Sequence, residues 1–433
     1  MIPLLKTIFR HSPNLNFLRT MPKTFQKYQV IYNPVKIILC SVILLSVISC
    51  ESQQEITPEI EKKIQAILER SEKAFQNRDL AYALTLADSA SALAPGYSET
   101  QFVKGLIYDR MDSLALARKQ YQSILEKNPE YPGIHFHLGN TVYRQKQYRD
   151  AVKHYSEALK KYQTDQVAFR KPDISVNLGL AYSQLGKSDS AKIAFTSAIQ
   201  ADPSYGDAYL LMANELQKDG NIDEAKKYLS DVVLQYPENL NYRYELAALQ
   251  FQSAELTQAA EHLEYIIANR PWDYRAHYTL GQVLMRQGDE SAAQKHISLS
   301  DSLRSQLSDI FALQQEAMDK PNNLMLWANL ARGLYEIGNI PEALRAMNRA
   351  LELDPDNVAI QNNMAYMQLA DGDTTAAIQR FENILQQDSS LVDIWVNLAL
   401  TLSNAGDRER AASAWRKVLE LDPDNELAEK YLQ

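Results

Sequence analysis

The side chains in this sequence that are best suited to chemistry are its histidines and carboxylates. The seven histidines are His11, His135, His137, His154, His262, His277 and His296. A helical zinc site commonly uses two histidines four residues apart, and no pair here has that spacing. His135 and His137 are two residues apart and therefore point to different faces of a helix. We expect surface or groove histidines and no metal site.

Other catalytic patterns are also missing from the sequence. It contains no glycine-rich phosphate loop and no nucleophile elbow around a serine. Its 54 carboxylates are scattered along the chain, which is typical of a solvated charged surface rather than of a paired general acid and base. The sequence therefore favours a protein that is not an enzyme and that needs no cofactor.

Both cysteines, Cys40 and Cys50, lie in the first fifty residues. An uncharged apolar run follows Lys36 and ends at Ser49 and Cys50. About a dozen apolar residues fit the core of a signal peptide, whereas a membrane span takes roughly 20. The small residue before Cys50 resembles the lipobox of bacterial lipoproteins, a family in which the signal is cut before the cysteine and the cysteine is acylated. A short uncleaved membrane anchor is the alternative.

The lipobox resemblance divides the N-terminal part of the chain. It implies a signal peptide at residues 1–49, followed by a lipidated Cys50 and a short tether at residues 50–57. Residues 1–20 are a candidate misassigned start, because Met21 opens a signal of ordinary length. The extended tether spans only about 25 Å. We therefore expect a body close to a membrane of the bacterial cell envelope, either the outer membrane or the periplasmic face of the inner membrane.

Charge is distributed unevenly along the chain. The first 50 residues contain basic residues and no acidic ones, while the whole chain has a formal net charge of −9. The body is therefore strongly acidic and repels phosphate backbones, so nucleic acid is not an expected partner. Apolar residues make up 45% of the chain and glycine is scarce, a composition that indicates helices and no sheet.

A repeat of 34 residues runs through the body. The heptapeptide LELDPDN occurs at 351–357 and again at 419–425. Ten alanines mark the same place in successive copies, with steps of 34 residues at all but two intervals: Ala83, Ala117, Ala151, Ala191, Ala225, Ala259, Ala293, Ala343, Ala377 and Ala411. Twelve residues before each alanine stands Gly, Ala or Ser. Small residues at both places predict two antiparallel helices that approach closely, because larger side chains would force them apart.

Glycine and proline punctuate each copy. Glycines between the two small sites end the first helix, and the Asn or Asp after most of them helps to begin the second, as in Gly220-Asn221, Gly288-Asp289 and Gly338-Asn339. Most second helices end near a proline, which cannot continue a helix. Residues 60–433 therefore resemble the tetratricopeptide repeat family. The resemblance implies an all-α fold, an α-solenoid in which about ten helix-turn-helix units form a right-handed superhelix.

Two spacers interrupt the repeat and suggest a division of the body. Six extra residues lie near 159–173 and sixteen near 299–323. We expect units 1–3 at residues 58–165, units 4–7 at residues 166–320 and units 8–10 at residues 321–433. The second spacer favours either a lengthened second helix or one additional helix at about 300–318. The last residues, ELAEKYLQ, are expected to form a helix that caps the array.

The resemblance implies a concave groove lined by the first helix of each unit. Family positions two, five, nine and twelve face this groove. In this sequence they place there aromatic, methionine, asparagine and arginine side chains: Phe136, Asn140, Tyr143, Tyr244, Phe251, Tyr278, Met285, Arg332 and Tyr335. Aromatic residues, methionine and arginine anchor many protein interfaces. The alternative is that the aromatic residues fill gaps between neighbouring helices.

These features together predict a membrane-anchored scaffold or adaptor that binds a segment of a partner protein in its groove. Assembly of a cell-envelope complex would be one use of such a scaffold. A second hypothesis is a regulatory or substrate-presenting partner of an envelope enzyme such as a glycosyltransferase. A third is a structural spacer that binds copies of itself.

Overall fold

The structure is a computed structural model that describes residues 57–162 and 169–432. Across these residues the chain forms 21 helices and no strand. The signal peptide and Cys50 lie outside the described residues. The chain divides into two compact units, one reaching Pro237 and the other starting at Glu238.

The first unit contains ten helices, which pair in order into five hairpins. They are α1 Pro58–Gln76, α2 Leu80–Leu93, α3 Ser98–Arg110, α4 Leu114–Lys127, α5 Ile134–Arg144, α6 Tyr148–Lys161, α7 Lys171–Gln184, α8 Ser188–Ala201, α9 Gly206–Lys218 and α10 Ile222–Gln235. Each odd-numbered helix is the first of its hairpin and packs against the even-numbered helix that follows it. Within this unit, the second helix of each of the first four hairpins also packs against the first helix of the next hairpin.

The second unit repeats this arrangement and ends with a short helix. Its elements are α11 Leu240–Gln252, α12 Leu256–Asn269, α13 Tyr274–Gln287, α14 Glu290–Asp319, α15 Leu324–Glu336, α16 Ile340–Leu353, α17 Val358–Ala370, α18 Thr374–Gln387, α19 Val392–Asn404, α20 Arg408–Leu421 and α21 Glu426–Leu432. Each unit is thus a stack of five hairpins. The prediction of an all-α solenoid with ten helix-turn-helix repeats is confirmed.

An aromatic ring on the second helix sits over a glycine on the first. A Cβ atom added to Gly105 would lie 2.3 Å from Cε1 of Tyr121, and one added to Gly179 would lie 2.4 Å from Cε1 of Phe195. Both aromatic side chains are almost completely buried. The small residue therefore makes room for a ring as well as for the neighbouring backbone, which explains why the sequence keeps this place small.

Short turns join the two helices of each hairpin. Gly186 adopts a left-handed φ of 69°, a conformation that costs a residue with a Cβ atom. The side chains of Asp289, Asp373 and Asp407 accept hydrogen bonds from backbone amides in the first turn of the second helix. At two turns the expected asparagine caps do not form, since Asn221 and Asn339 make no such side-chain bond.

One continuous helix occupies the second spacer. Helix α14 is 30 residues long, whereas the other second helices have 14. Its additional turns bury Leu303 and Ile310 in a core cluster with Leu330 and Leu334 of α15. The spacer therefore lengthens a second helix, and its apolar residues give the next hairpin a longer surface to pack on.

Candidate functional site

Five exposed apolar side chains on first helices of the second unit form the candidate binding surface, which we call the docking face. They are Tyr278 and Met285 on α13, Met325 and Tyr335 on α15, and Tyr366 on α17, and their exposed fractions are 47%, 43%, 60%, 37% and 42%. Large apolar side chains normally lose most of their exposure on folding. Several of them on corresponding helices of three successive hairpins mark a surface that suits a partner.

Polar contacts tie neighbouring first helices together beside this face. The hydroxyls of Tyr244 on α11 and Thr279 on α13 are 3.2 Å apart. Between α17 and α19, the hydroxyl of Tyr366 donates to Oδ1 of Asn397 at 2.7 Å. Asn397 in turn donates to Oδ1 of Asn362 at 3.0 Å. These bonds between hairpins hold the helices that carry the docking face in a fixed register.

Arginines cover two of the aromatic residues that the sequence places in the groove. The guanidinium carbon of Arg275 lies 4.7 Å from the ring centroid of Tyr244, and that of Arg286 lies 4.2 Å from the ring centroid of Phe251. Both rings are half-buried. Arg332 is exposed. Its Nη2 donates to Oδ1 of Asn329 at 3.3 Å, and its Nε lies 3.9 Å from Oε1 of Glu336. Tyr244 and Phe251 thus border the docking face, while Arg332 offers it a cation.

The predicted groove residues of the first unit are engaged inside the repeats. Phe136 is 7% exposed and stacks on Phe169, with ring centroids 4.2 Å apart. Asn140 accepts hydrogen bonds from Tyr155 at 2.8 Å and Asn177 at 3.0 Å. Tyr143 is half-buried. Phe136 and Asn140 therefore present little surface to a partner, and all members of the docking face belong to the second unit.

A buried carboxylate links the second and third hairpins of the first unit. Asp109 accepts hydrogen bonds from the hydroxyl of Tyr121 at 2.9 Å and from that of Thr141 at 3.0 Å. Nη1 of Arg144 is 3.6 Å from Oδ1 of Asp109. Burial raises the pKa of the Asp109 carboxyl to about 6, although these hydrogen bonds and Arg144 oppose the shift. The repeat pattern does not predict this cluster, because its members come from three helices.

Two close pairs of histidines were also not predicted from the sequence. Nδ1 of His135 is 3.1 Å from Nδ1 of His154, and Nδ1 of His277 is 2.9 Å from Nδ1 of His296. Each pair joins the two helices of one hairpin. The signal that could have revealed them is a spacing of 19 residues, which connects facing positions of the hairpin rather than one face of a single helix.

Charge differs sharply between the two units. Residues 58–237 contain 23 acidic and 23 basic residues, whereas residues 238–433 contain 29 acidic and 16 basic residues. The unit that carries the docking face therefore holds a large excess of carboxylates. Among the described helices, none is long and apolar enough to cross a membrane.

Comparisons with known families identify the repeats. Models described as tetratricopeptide repeat match residues 102–166, 182–249 and 249–295, and the model of the cytochrome c-type biogenesis protein H TPR domain matches residues 304–428. This chain is a tetratricopeptide repeat protein. The matched segments contain hairpins of both units. They include the small glycine and alanine residues at which the two helices of a hairpin pack closely.

Individual relatives of this tetratricopeptide repeat protein are distant. A TPR repeat-containing protein of Pseudomonas aeruginosa is 24% identical over 226 residues, which are 52% of this chain and 34% of the relative. The BBSome complex member BBS4 of Bos taurus is 22% identical over 192 residues, which are 44% of this chain and 36% of that protein. The chain thus spans about a third of the length of these curated relatives.

Solved structures with the same repeat are similarly distant. The Pseudomonas aeruginosa protein pilF has 18% identity and a TM-score of 0.43, with 49% of this chain and 94% of that chain covered. YrrB, described as a TPR protein with an unusual peptide-binding site, has 17% identity and a TM-score of 0.37, with 47% and 97% covered.

Proposed function

We propose that this tetratricopeptide repeat protein is a non-catalytic scaffold that binds a segment of a partner protein on its docking face. The observation that carries the proposal is the exposure of Tyr278, Met285 and Tyr335. Tyrosine and methionine are enriched in the buried centres of protein interfaces, and such side chains lose their water contact when a partner covers them. Tetratricopeptide repeats are in general interaction modules, which supports this role.

Internal packing does not account for the docking face. In the first unit, the groove residue Phe136 is buried against Phe169. In the second unit, Tyr244 and Phe251 are covered by arginines. Tyr278, by contrast, remains 47% exposed. The excess of carboxylates in this unit favours partners that carry basic residues around an apolar centre, and it disfavours nucleic acid.

We further propose that the scaffold is anchored in the bacterial cell envelope through acyl chains on Cys50. The apolar run before Ser49 and Cys50 supports this location. The proposed use of the scaffold is assembly of an envelope complex, and the match of residues 304–428 to the TPR domain of a cytochrome c-type biogenesis protein supports a role in biogenesis. Stable attachment needs more than one acyl chain or a second membrane signal, as multiple acylation of one cysteine would provide.

The docking proposal can be tested by crosslinking in cells. A photoreactive amino acid at Tyr278 or Tyr335 is expected to capture one recurring partner, which mass spectrometry then identifies. Tyr278→Ala combined with Tyr335→Ala is expected to reduce recovery of that partner at least tenfold, because the buried centre of the interface is lost. Crosslinks mainly to other copies of this chain would instead indicate a self-associating spacer.

Tyr265→Ala is a matched control for the docking variants. Tyr265 is 40% exposed in the same unit but lies on the second helix α12. Partner recovery is expected to remain at the wild-type level in this variant. Equal losses in the control and in the double variant would argue against a docking face on the first helices.

The anchor is tested separately with Cys50→Ser and the control Cys40→Ser. Cys50→Ser is expected to abolish incorporation of a labelled fatty acid and to release the protein from the membrane fraction. Cys40→Ser is expected to leave both unchanged, because Cys40 lies inside the proposed signal peptide. Fatty-acid labelling that survives in Cys50→Ser would refute the proposed anchor without affecting the docking proposal.

A further inference from the structure

The pair of His277 and His296 has features of a small metal-binding site. His277 is 4% exposed on α13, and His296 is half-buried on α14. Their Nδ1 atoms are 2.9 Å apart. Nε2 of His277 is 2.9 Å from the carbonyl oxygen of Pro271. Because a carbonyl only accepts, Nε2 of His277 carries a hydrogen, and its Nδ1 in the neutral ring presents a lone pair.

The two Nδ1 atoms lie close to the line between the ring centres. The ring centroids are 5.2 Å apart and the planes differ by 26°. The distance between the ring centroids exceeds the 2.9 Å between the Nδ1 atoms by about the distance from centroid to nitrogen in each of the two rings. Both Nδ1 atoms therefore lie on the line that joins the two ring centres. In the neutral pair, Nδ1–H of His296 therefore donates to the lone pair of His277. Removing that single hydrogen would leave two lone pairs facing each other.

We propose that this pair binds a monovalent d10 metal ion of the Cu⁺ type, coordinated linearly by the two Nδ1 atoms. Imidazole is a good ligand for copper. A tetrahedral zinc ion would need four ligands that converge at wide angles, and no group of three histidine, cysteine, aspartate or glutamate side chains suited to a metal occurs in the described part of the chain. Two opposed nitrogens without a third ligand match a two-coordinate ion best.

Binding requires a change of tautomer and a small movement, but no redox step. The hydrogen on Nδ1 of His296 passes through solvent to Nε2 of the same ring, and each Nδ1 then gives its lone pair to the metal. At about 2 Å for each metal–nitrogen bond, the nitrogens must move to about 4 Å apart. Pro271 fixes His277 as a carbonyl commonly fixes a metal-bound histidine, so His296 makes the movement.

Burial and the neighbouring His277 lower the pKa of the His296 imidazole, which favours the neutral ring that a metal ligand needs. A second contact between Nδ1 atoms occurs in the first unit, where Nδ1 of His135 and Nδ1 of His154 are 3.1 Å apart and the ring centroids are 5.4 Å apart. Burial lowers the pKa of His154 to about 4. The same ion is therefore expected at both pairs.

The experiment is a titration of the full chain with Ag⁺, a redox-inert d10 ion, in chloride-free buffer. Wild type is compared with His296→Gln, His154→Gln and the double variant, and circular dichroism confirms that each is folded. The double variant retains both cysteines and all methionines, so it provides the baseline for other Ag⁺ sites. Relative to it, wild type is expected to bind two more ions and each single variant one more.

His262→Gln is the matched control. His262 occupies the position in α12 that corresponds to His296, but its partner is Arg243, whose Nη1 is 3.0 Å from Nδ1 of His262. This variant is expected to bind as many Ag⁺ ions as wild type. In histidine-selective 15N spectra of wild type, Nδ1 of His277 and His296 should shift on Ag⁺ addition. Equal binding by wild type and the double variant, or equally tight binding of Zn²⁺ at the pairs, would overturn the proposal.

Discussion

The indole Nε1 of Trp395 donates a hydrogen bond to the carbonyl oxygen of Ser389, six residues earlier, at 3.0 Å. The same bond, from the corresponding place in a first helix to the loop before it, occurs in three other hairpins of the second unit, in the pairs Trp327–Pro321, His277–Pro271 and Gln361–Pro355. A tryptophan typifies this place in the family, but His277 and Gln361 show that any side chain with a suitably placed N–H can satisfy the loop carbonyl.

Gln361→Leu is expected to destabilise the hairpin that begins with α17. Gln361 is 6% exposed, and its Nε2 donates to the carbonyl oxygen of Pro355 at 2.6 Å. Leucine keeps most of the volume but removes this bond. The expected loss is about 1 kcal/mol, because Pro355 is exposed and water can solvate its freed carbonyl. Faster amide hydrogen exchange in α17 would report the loss. Gln361→His restores an N–H donor and should recover much of the protection; equal exchange in both variants would contradict this role of the bond.

Gly179→Ala is expected to destabilise the fourth hairpin, although alanine is the better helix former. The new Cβ would lie 2.4 Å from Cε1 of Phe195, and Phe195 is 1% exposed. Overpacking of this kind costs about 1–3 kcal/mol, which outweighs a gain of about 1 kcal/mol in helix propensity. Chemical denaturation followed by circular dichroism should show the decrease. Adding Phe195→Leu should remove part of the penalty of Gly179→Ala in a double-mutant cycle.

Gly333→Ala provides the matched comparison. Gly333 also lies inside a first helix, α15, but its added Cβ would be 3.1 Å from Cγ1 of Ile310, a side chain that needs to move only slightly. Gly333→Ala should therefore change the free energy of unfolding little or increase it slightly. A loss as large as that of Gly179→Ala would show that the ring contact is not the cause.

The hairpins could be predicted from the sequence because their period, small residues and turn glycines all act locally. Turns without glycine were harder to predict from the sequence. In two of them Lys146 and Ala254 adopt the left-handed conformation, each with a φ of 61°. The packing of the repeat holds them there despite their Cβ atoms. Sequence periodicity thus located the helices well but did not reveal every residue that connects them.

The docking face could be predicted only in part. The resemblance to the tetratricopeptide family placed Tyr278 and Phe136 at equivalent groove positions, yet Tyr278 is exposed and Phe136 is buried. The difference arises from Phe169, in the loop before α7, which stacks on Phe136. Exposure of a groove residue depends on such neighbours from other segments, and the repeat pattern of a single helix does not contain that information.

Ser305→Pro is expected to break α14. Ser305 stands where most repeats have their closing proline, and the helix passes through it to Asp319. Proline in a helix interior removes a hydrogen bond and costs about 3 kcal/mol or more. Amide exchange should accelerate in the residues beyond 305, including those around Ile310. Ser389→Pro is the control, since Ser389 lies in a loop after the extended Asp388, and that variant should leave exchange in α18 and α19 nearly unchanged.

Asp109→Asn is expected to remove part of the pH dependence of stability in the first unit. The pKa of Asp109 is about 6 in the folded chain, raised by burial from 3.8, so folding favours the protonated carboxyl. Its stabilising contribution is therefore complete below about pH 4 and is lost as the pH rises through about 6. Asparagine resembles the neutral carboxyl and does not titrate.

Relative to Asp109→Asn, the wild-type chain should therefore lose on the order of 2 kcal/mol of stability between about pH 4 and about pH 7. Denaturant titrations of both proteins across this range, followed by amide exchange in α3 to α5, measure the difference. Comparison with the variant cancels the other titrating groups. A constant difference would mean that Arg144, whose Nη1 is 3.6 Å from Oδ1 of Asp109, balances the cost of burying the carboxylate. A wild-type chain that loses stability relative to the variant as the pH falls would mean that the ion pair outweighs that cost.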